Sequence, residues 1–257
     1  MNYEGFKEQV LRLTGINLTA YKENQMKRRI DALIRKHGCT GYEPYVQLLK
    51  KDPKVLEAFV AYLTINVTEF FRNPSQWDVL EKNIIPLLLE KKRTLKIWSA
   101  ACSTGDEPYS LAMVLSKTLP LHQIQILATD IDKEVLAKAQ EGFYVSRNIA
   151  NLPPSFRTRF LSEENGGYRI APELKKCITF KQHNLLKDPY PSGMDLIVCR
   201  NVLIYFTEEA KREIYYNFNK ALVDEGILFV GSTEQIIMCQ DFGFEPNKIF
   251  FYQKVKA

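Results

Sequence analysis

The hydrophobic pattern changes its period near residue 95, and this change constrains the fold more than any other feature. Before it, apolar residues recur at helical spacing. Phe6, Val10, Leu11 and Leu13 form one set, Met26, Ile30, Leu33 and Ile34 a second, and Tyr45, Leu48 and Leu49 a third. Residues three and four apart share a helix face, so each set predicts an amphipathic helix. Gly15 and Gly38 stand where the first two helices would stop. Asp52-Pro53 breaks the third, and 55–63 reads as a fourth. No alternation of period two occurs in this part, so residues 1–75 are expected to form a small all-α domain, followed by a linker to about residue 94.

From Lys96 onward, short apolar runs alternate with helical patterns. Residues 96–101, 125–129, 178–182, 195–199, 226–230 and 249–255 read as strands; 108–119, 133–141 and 208–223 read as helices. Strands separated by helices of this length imply βαβ units, a mostly parallel sheet and right-handed crossovers. The rhythm is interrupted between residues 143 and 178 by Pro153-Pro154, Gly166-Gly167 and Pro172. That stretch predicts an inserted hairpin or small β subdomain over about 150–178, with Tyr168-Arg169-Ile170 as one strand. The expected class is therefore α/β over residues 95–257, preceded by the all-α domain.

Several function classes are excluded early. Hydrophobic residues make up 46% and charged residues 25%, a globular composition that argues against disorder. Apolar stretches such as 84–89 are far short of the roughly 20 residues a membrane span needs. Glu4, Lys7 and Glu8 rule out a signal-peptide core at the start. Five cysteines without a CxxC pair, and three scattered histidines, predict no metal site and reduced thiols in a cytoplasmic protein.

The charge is uneven. The first 75 residues carry 12 Lys+Arg against 8 Asp+Glu, which is +4 of the net +5. Residues 22–36 hold six of those bases (Lys22, Lys27, Arg28, Arg29, Arg35 and Lys36) against Glu23 and Asp31. Such a face is either a solvated helix surface or an attractor for nucleic acid, anionic lipid or an acidic protein.

In an open α/β sheet, ligands lie at the carboxyl ends of the strands near the reversal of strand order. The first strand runs into Ala101-Cys102-Ser103-Thr104-Gly105-Asp106-Glu107-Pro108. This is neither GxGxxG nor GxxxxGK[ST], and its acids would repel a phosphate. They suit a cationic or hydroxyl-bearing ligand, or else complement a helix N-terminus. The second strand ends in Asp130-Ile131-Asp132. Asp132 is placed as an N-cap, which leaves Asp130 for ribose hydroxyls. An acidic loop with an acidic second strand end favours S-adenosylmethionine over NAD or ATP, because that cofactor carries an ammonium, a sulfonium and a ribose but no phosphate. Arg200-Asn201 breaks an apolar run where a further strand would meet the crevice, as a ligand contact or a capped turn. Upstream, Asn66, Thr68 and Arg72 offer side-chain donors around Phe70 and Phe71, which read as core; Arg72 is able to hold a carboxylate bidentately.

Five segments together resemble the chemotaxis receptor methyltransferase family, CheR. They are Asn66-Val67-Thr68-Glu69-Phe70-Phe71-Arg72, the run from Trp98 to Ser110, Ala128-Thr129-Asp130-Ile131-Asp132, Asn184-Leu185-Leu186, and the run from Cys199 to Phe206. They occur in the family's order and span nearly the whole chain. The resemblance implies a Rossmann-like S-adenosylmethionine-dependent methyltransferase sheet, with an N-terminal all-α domain and a small inserted β subdomain. It implies methyl transfer to glutamate side chains on the cytoplasmic helical domain of chemoreceptors, with S-adenosylhomocysteine as product.

By the same resemblance, Asn66, Thr68 and Arg72 would contact the methionine part of the cofactor. Glu107 would lie in the cofactor loop, Asp130 at the ribose, Asn184 and Leu185 beside the adenine, and Asn201 and Val202 near the methyl donor. Lys27, Arg28, Arg29 and Arg35 would dock on acidic receptor helices. The subdomain would be the receptor-tether site of some members, although Glu164-Asn165-Gly166-Gly167-Tyr168 is short for their glycine-rich loop. A monomer is expected, acting on neither nucleic acid nor the membrane interior. No catalytic residue is expected beyond alignment of the substrate: a glutamate with a pKa near 4.3 is already ionised at pH 7 and needs no general base.

Two other readings compete. A nucleic-acid methyltransferase of the amino-methylating type would carry a [DN]-P-P-[YF] turn after a strand; Arg200-Asn201-Val202-Leu203 stands there instead, and Asp188-Pro189-Tyr190 precedes the strand. A non-catalytic S-adenosylmethionine sensor is the second; it would bind the cofactor without turnover.

Overall fold

The structure, a computed structural model, describes residues 1–65, 68–90 and 92–256. The chain divides into two compact units, Met1–Asn66 with Tyr205–Glu213, and Val67–Ile204 with Ile214–Ala257.

The first unit is built on four helices: α1 (Tyr3–Thr14), α2 (Glu23–Lys36), α3 (Tyr42–Lys51) and α4 (Pro53–Thr64). Their ends follow from the sequence. The Asn2 side chain accepts from Gly5 N at 3.0 Å, and Gly15 closes α1 at φ +74°. The Asp52 side chain caps α4 at Lys54 N, with Pro53 in its first turn. Phe6 packs in an aromatic core with Tyr42, Tyr45 and Phe59. Met26, Ile30, Leu33 and Ile34 are buried as the spacing predicts. Leu11 is not: it is 45% exposed, because at about 100° per residue it stands about 140° round the helix from Phe6. The unit also takes in a segment distant in sequence. Lys22 N donates to Tyr205 O at 2.9 Å, Thr207 N donates to Ala20 O at 2.8 Å, and the Tyr21 and Phe206 rings lie 4.7 Å apart.

The second unit begins with α5 (Pro74–Val79), a π turn (Leu80–Ile84) and α6 (Ile85–Leu89). These residues fall in the region read from sequence as linker. They are helical because Trp77, Leu80, Ile84, Ile85 and Leu88 bury one face. Then follow β1 (Lys96–Ala100), α7 (Asp106–Leu115), β2 (Gln125–Asp130), α8 (Lys133–Glu141), β3 (Phe143–Tyr144), α9 (Pro154–Phe160), β4 (Leu161–Glu164), β5 (Gly167–Ile170), α10 (Pro172–Lys175), β6 (Ile178–Gln182) and β7 (Met194–Cys199). The chain ends with α11 (Glu208–Ala221), β8 (Leu222–Val230), β9 (Phe244–Lys248) and β10 (Phe251–Lys254).

Seven strands form one sheet in the order β6-β2-β1-β7-β8-β10-β9. β6, β2, β1, β7 and β8 run parallel, and β10 and β9 add an antiparallel edge. The order reverses between β1 and β7, which places the switch point at their carboxyl ends. β7 is buried at every position, as a central parallel strand must be. β3, β5 and β4 make a separate three-stranded antiparallel sheet. Two strands depart from their expected bounds. β8 begins at Leu222 rather than at 226. The stretch 249–255 is not one strand: Phe250, at φ +69°, turns the chain between β9 and β10.

Candidate active site

The turn after β1 is set by its backbone. Ala101, Ser103 and Gly105 all take positive φ, at +63°, +48° and +90°. A Cβ on Gly105 would lie 2.9 Å from Ala139 Cβ and 3.1 Å from the Tyr144 hydroxyl, so only glycine fits. Side chains from other elements pin the loop. Asp130 Oδ2 accepts from Ser103 N at 2.8 Å, and the Tyr144 hydroxyl donates to Thr104 O at 2.6 Å. Asp106 is fully buried and holds Thr104 Oγ1 at 2.6 Å and Asn148 Nδ2 at 3.3 Å, so it anchors the loop. Burial raises its carboxyl above the ordinary aspartate range.

Asp130, at the end of β2, is 5% exposed. Its Oδ1 accepts from Asp132 N at 3.0 Å. Burial pushes its carboxyl up to about 6, while the backbone N–H groups of Asp132 and Ser103 pull it back. Asp132 accepts from Glu134 N at 2.9 Å and is the N-cap of α8, as its position predicts. His183 N donates to Asp130 O at 2.9 Å, which brings the end of β6 beside the end of β2. Asn184 and Leu185 follow there. Asn184 Oδ1 accepts from Leu186 N at 2.9 Å, and the buried Leu185 accepts through its carbonyl from the Tyr190 hydroxyl at 2.8 Å.

Glu107 lies at the start of α7 with its side chain 12% exposed. Its Oε1 accepts from Ser99 Oγ at 2.8 Å, and its Oε2 is 3.7 Å from Arg200 Nη1. Burial pushes its carboxyl up to about 7, against the opposing pull of Arg200, Ser99 and Arg72. Arg200 is 7% exposed. Its Nη2 donates to Arg72 O at 2.7 Å and to Gln76 Oε1 at 2.6 Å, and its guanidinium carbon lies 4.7 Å from the Phe229 ring centre and 5.4 Å from that of Trp77. A charge this buried is held only where carbonyl, amide and carboxylate oxygens surround it. Arg72 itself is half-buried and within electrostatic reach of Glu107. Thr68 is half-buried in the same segment, which is fixed by Phe70 N to Asn148 O at 3.0 Å and Phe71 N to Ser110 Oγ at 3.1 Å. Asn66 lies outside the described residues.

Asn201 follows β7 at φ +60°, and its Oδ1 is buried with no hydrogen-bond partner among the described residues. Val202 is half-buried beside it. Two residues of this site were not placed in it from the sequence: Arg200, seen only as half of a polar pair, and Glu234. Glu234 receives the backbone of Asn201, Leu203 and Gly231. Its one sequence signal is an acid shortly after a parallel strand, the placement already used for Asp130.

In the helical unit, Lys27, Arg28 and Arg35 are exposed on α2. Arg29 is not on that open face. Its guanidinium lies 4.3 Å from the Tyr62 ring centre and donates to Tyr62 O, tying α2 to α4.

The profile of the CheR methyltransferase all-alpha domain matches residues 1–64, and that of the CheR methyltransferase SAM-binding domain matches residues 66–250. The chain belongs to the CheR methyltransferase family. Among its relatives, the chemotaxis protein methyltransferase of Listeria innocua is 46% identical over 254 residues, covering 98% of this chain and 97% of the relative. That of Listeria monocytogenes is 44% identical with the same coverage. The protein of that name from Escherichia coli K12 is 34% identical over 247 residues, covering 91% of this chain and 84% of the relative.

As a CheR member, the protein is an S-adenosylmethionine-dependent methyltransferase, and its residues fit that cofactor. The cofactor carries two positive centres and a ribose diol without phosphate. At and past the carboxyl ends of β1, β2 and β7 the chain carries the Glu107 and Asp130 carboxyls and the Asn201 Oδ1, which has no hydrogen-bond partner among the described residues; all are acceptors. Its first loop has one glycine and two acids, the reverse of a phosphate cradle. Among the described residues no helix is long and apolar enough to cross a membrane, and no side-chain cluster suits a metal ion.

Proposed function

We propose that this protein esterifies glutamate side chains on the cytoplasmic helical domain of chemoreceptors. When bound, S-adenosylmethionine supplies a methyl group made electrophilic by its sulfonium. A receptor carboxylate oxygen would take that methyl, the electron pair of the broken carbon–sulfur bond remaining on sulfur. No proton moves, because a glutamate is ionised at pH 7. The chain therefore has to align the acceptor and exclude water. In this reading Glu107 meets the cofactor's ammonium, and Asn66, Thr68 and Arg72 hold the rest of its methionine part. Asp130 holds the ribose, Asn184 and Leu185 flank the adenine, and Asn201 and Val202 border the methyl group. The observation that carries the reading is the buried Glu107 carboxyl at the start of α7, beside Arg200, in a chain whose near full-length relatives are chemotaxis methyltransferases.

The helical domain of residues 1–75 is the docking element, joined by the segment to about 94 to the methyltransferase domain of 95–257, with the β insertion at about 150–178. The protein works as a cytoplasmic monomer. Lys27, Arg28 and Arg35 meet the acidic receptor helix, while Arg29 supports α2 from behind. Reversing Arg28 and Arg35 to Glu is expected to slow receptor methylation about tenfold or more at low salt, since steering by exposed charge acts mainly on encounter. S-adenosylhomocysteine affinity, read by calorimetry, stays within about twofold of wild type, the size of a surface change. Unchanged receptor methylation would show that this face is merely solvated. Peptide mapping of a methylated receptor fragment is expected to place the methyl on glutamate; a methyl on lysine or on nucleic acid contradicts the proposal.

A further inference from the structure

Glu234 lies just past the end of β8 and is 5% exposed. Its Oε2 accepts from Asn201 N at 2.5 Å and Gly231 N at 2.9 Å, and its Oε1 accepts from Leu203 N at 2.7 Å. One carboxylate thus joins the exits of two neighbouring strands, β7 and β8. A cap for the β8 turn would need only the bond to Gly231. The other two reach across to the residues on either side of Val202, so the Asn201-Val202 pair is fixed from both ends. Asn201 is kept at φ +60°, a conformation an asparagine adopts only at some cost. The packing admits no slack. A Cβ on Gly231 would lie 2.5 Å from Glu234 Oε2, 2.8 Å from Asn201 N and 3.0 Å from Asn201 Nδ2.

We infer that Glu234 is a positioning residue for methyl transfer, acting through the backbone of Asn201 and Leu203 to hold the Asn201 side chain at the pocket; this rests on the function proposed above. A carboxylate offers acceptors on both oxygens. A glutamine of the same shape must turn an N–H toward at least one of the three backbone donors.

The test is a double-mutant cycle on kcat/KM for receptor methylation with Glu234→Gln, Asn201→Ala and the pair. Glu234→Gln alone is expected to lower kcat about 30-fold, while S-adenosylhomocysteine affinity falls less than about fivefold, the split of an interaction made chiefly in the transition state. In the Asn201→Ala background the same change should cost less than about twofold, because the group it positions is gone. Independent, multiplying losses would overturn the inference, as would a full kcat in Glu234→Gln. Should Glu234→Gln fail to fold, amide exchange of the wild-type protein decides. Protection of Asn201 and Leu203 N–H before cofactor is added supports preorganisation, and fast exchange refutes it. A wild-type protein that binds cofactor but methylates no receptor would instead remove the proposed function and this inference with it, whereas an active wild type beside a fully active Glu234→Gln removes the inference alone.

Discussion

Arg200→Met is expected to abolish measurable cofactor binding and to lower the melting temperature by roughly 10 °C. Arg200 is buried and donates to Arg72 O at 2.7 Å and Gln76 Oε1 at 2.6 Å, and its charge faces Glu107 at 3.7 Å. Removing a buried cation strands the acceptors it held, Arg72 O and Gln76 Oε1 among them, at about 1–3 kcal/mol for each buried group left unpaired. Glu107 loses its partner as well. Burial already holds its carboxyl up to about 7, and Arg200 is the strongest influence pulling it down. Without Arg200, Glu107 stays protonated at pH 7 and presents no charge to a cationic ligand. Lysine does not restore the site, since a single ammonium cannot replace a planar fork with several donors. Calorimetry with S-adenosylhomocysteine and a thermal melt test this together. Binding within about threefold of wild type would show that Arg200 and Glu107 lie outside the cofactor site.

Cofactor affinity is expected to rise with pH through about 7 and to level off above it, and Glu107→Gln is expected to be weaker and flat. The sign follows from the direction of the shift. Burial raises the Glu107 carboxyl to about 7, so the free protein holds a proton there that a cationic ligand must displace. Below that pH each unit approaches a tenfold loss of affinity. Isothermal titration in two buffers of unlike ionisation heat reads the released proton directly. Folding stability runs the other way. A carboxyl raised in the folded state contributes stability below its unfolded value, and loses it as pH rises through the folded value. Glu107 therefore makes the ligand-free protein less stable between about 4.5 and about 7, and Asp130, raised to about 6, adds to this. An affinity independent of pH would place Glu107 away from the ammonium.

The parts of the fold legible in the sequence are those whose burial dictates composition. β1, β2 and β7 are short apolar runs between helical patterns, because a central parallel strand is covered on both faces. β9, with the sequence FEPNK, was invisible: as an edge strand it needs little apolar surface and tolerates Pro246. The division of labour between Asp130 and Asp132 was legible because capping is local, set by residues two apart. Arg200 and Glu234 were not, because their partners come from elsewhere: Gln76 and Glu107 for one, Asn201 and Leu203 for the other. The same holds for Arg29, which charge counting put on the basic face and Tyr62 turns inward. Spacing reports what a residue does to its neighbours along the chain; convergence across strands or helices is a property of the fold.

The central claim, methyl transfer to a glutamate carboxyl, is tested most directly by the lability of the product. The protein is incubated with methyl-labelled S-adenosylmethionine and membranes bearing chemoreceptors from the same cell, and mild base is then added. Labelled methanol should distil from the sample as the receptor band loses its label, because only an ester is cleaved under those conditions. Label that stays on the receptor through the base treatment would mean another acceptor atom and would contradict the claim.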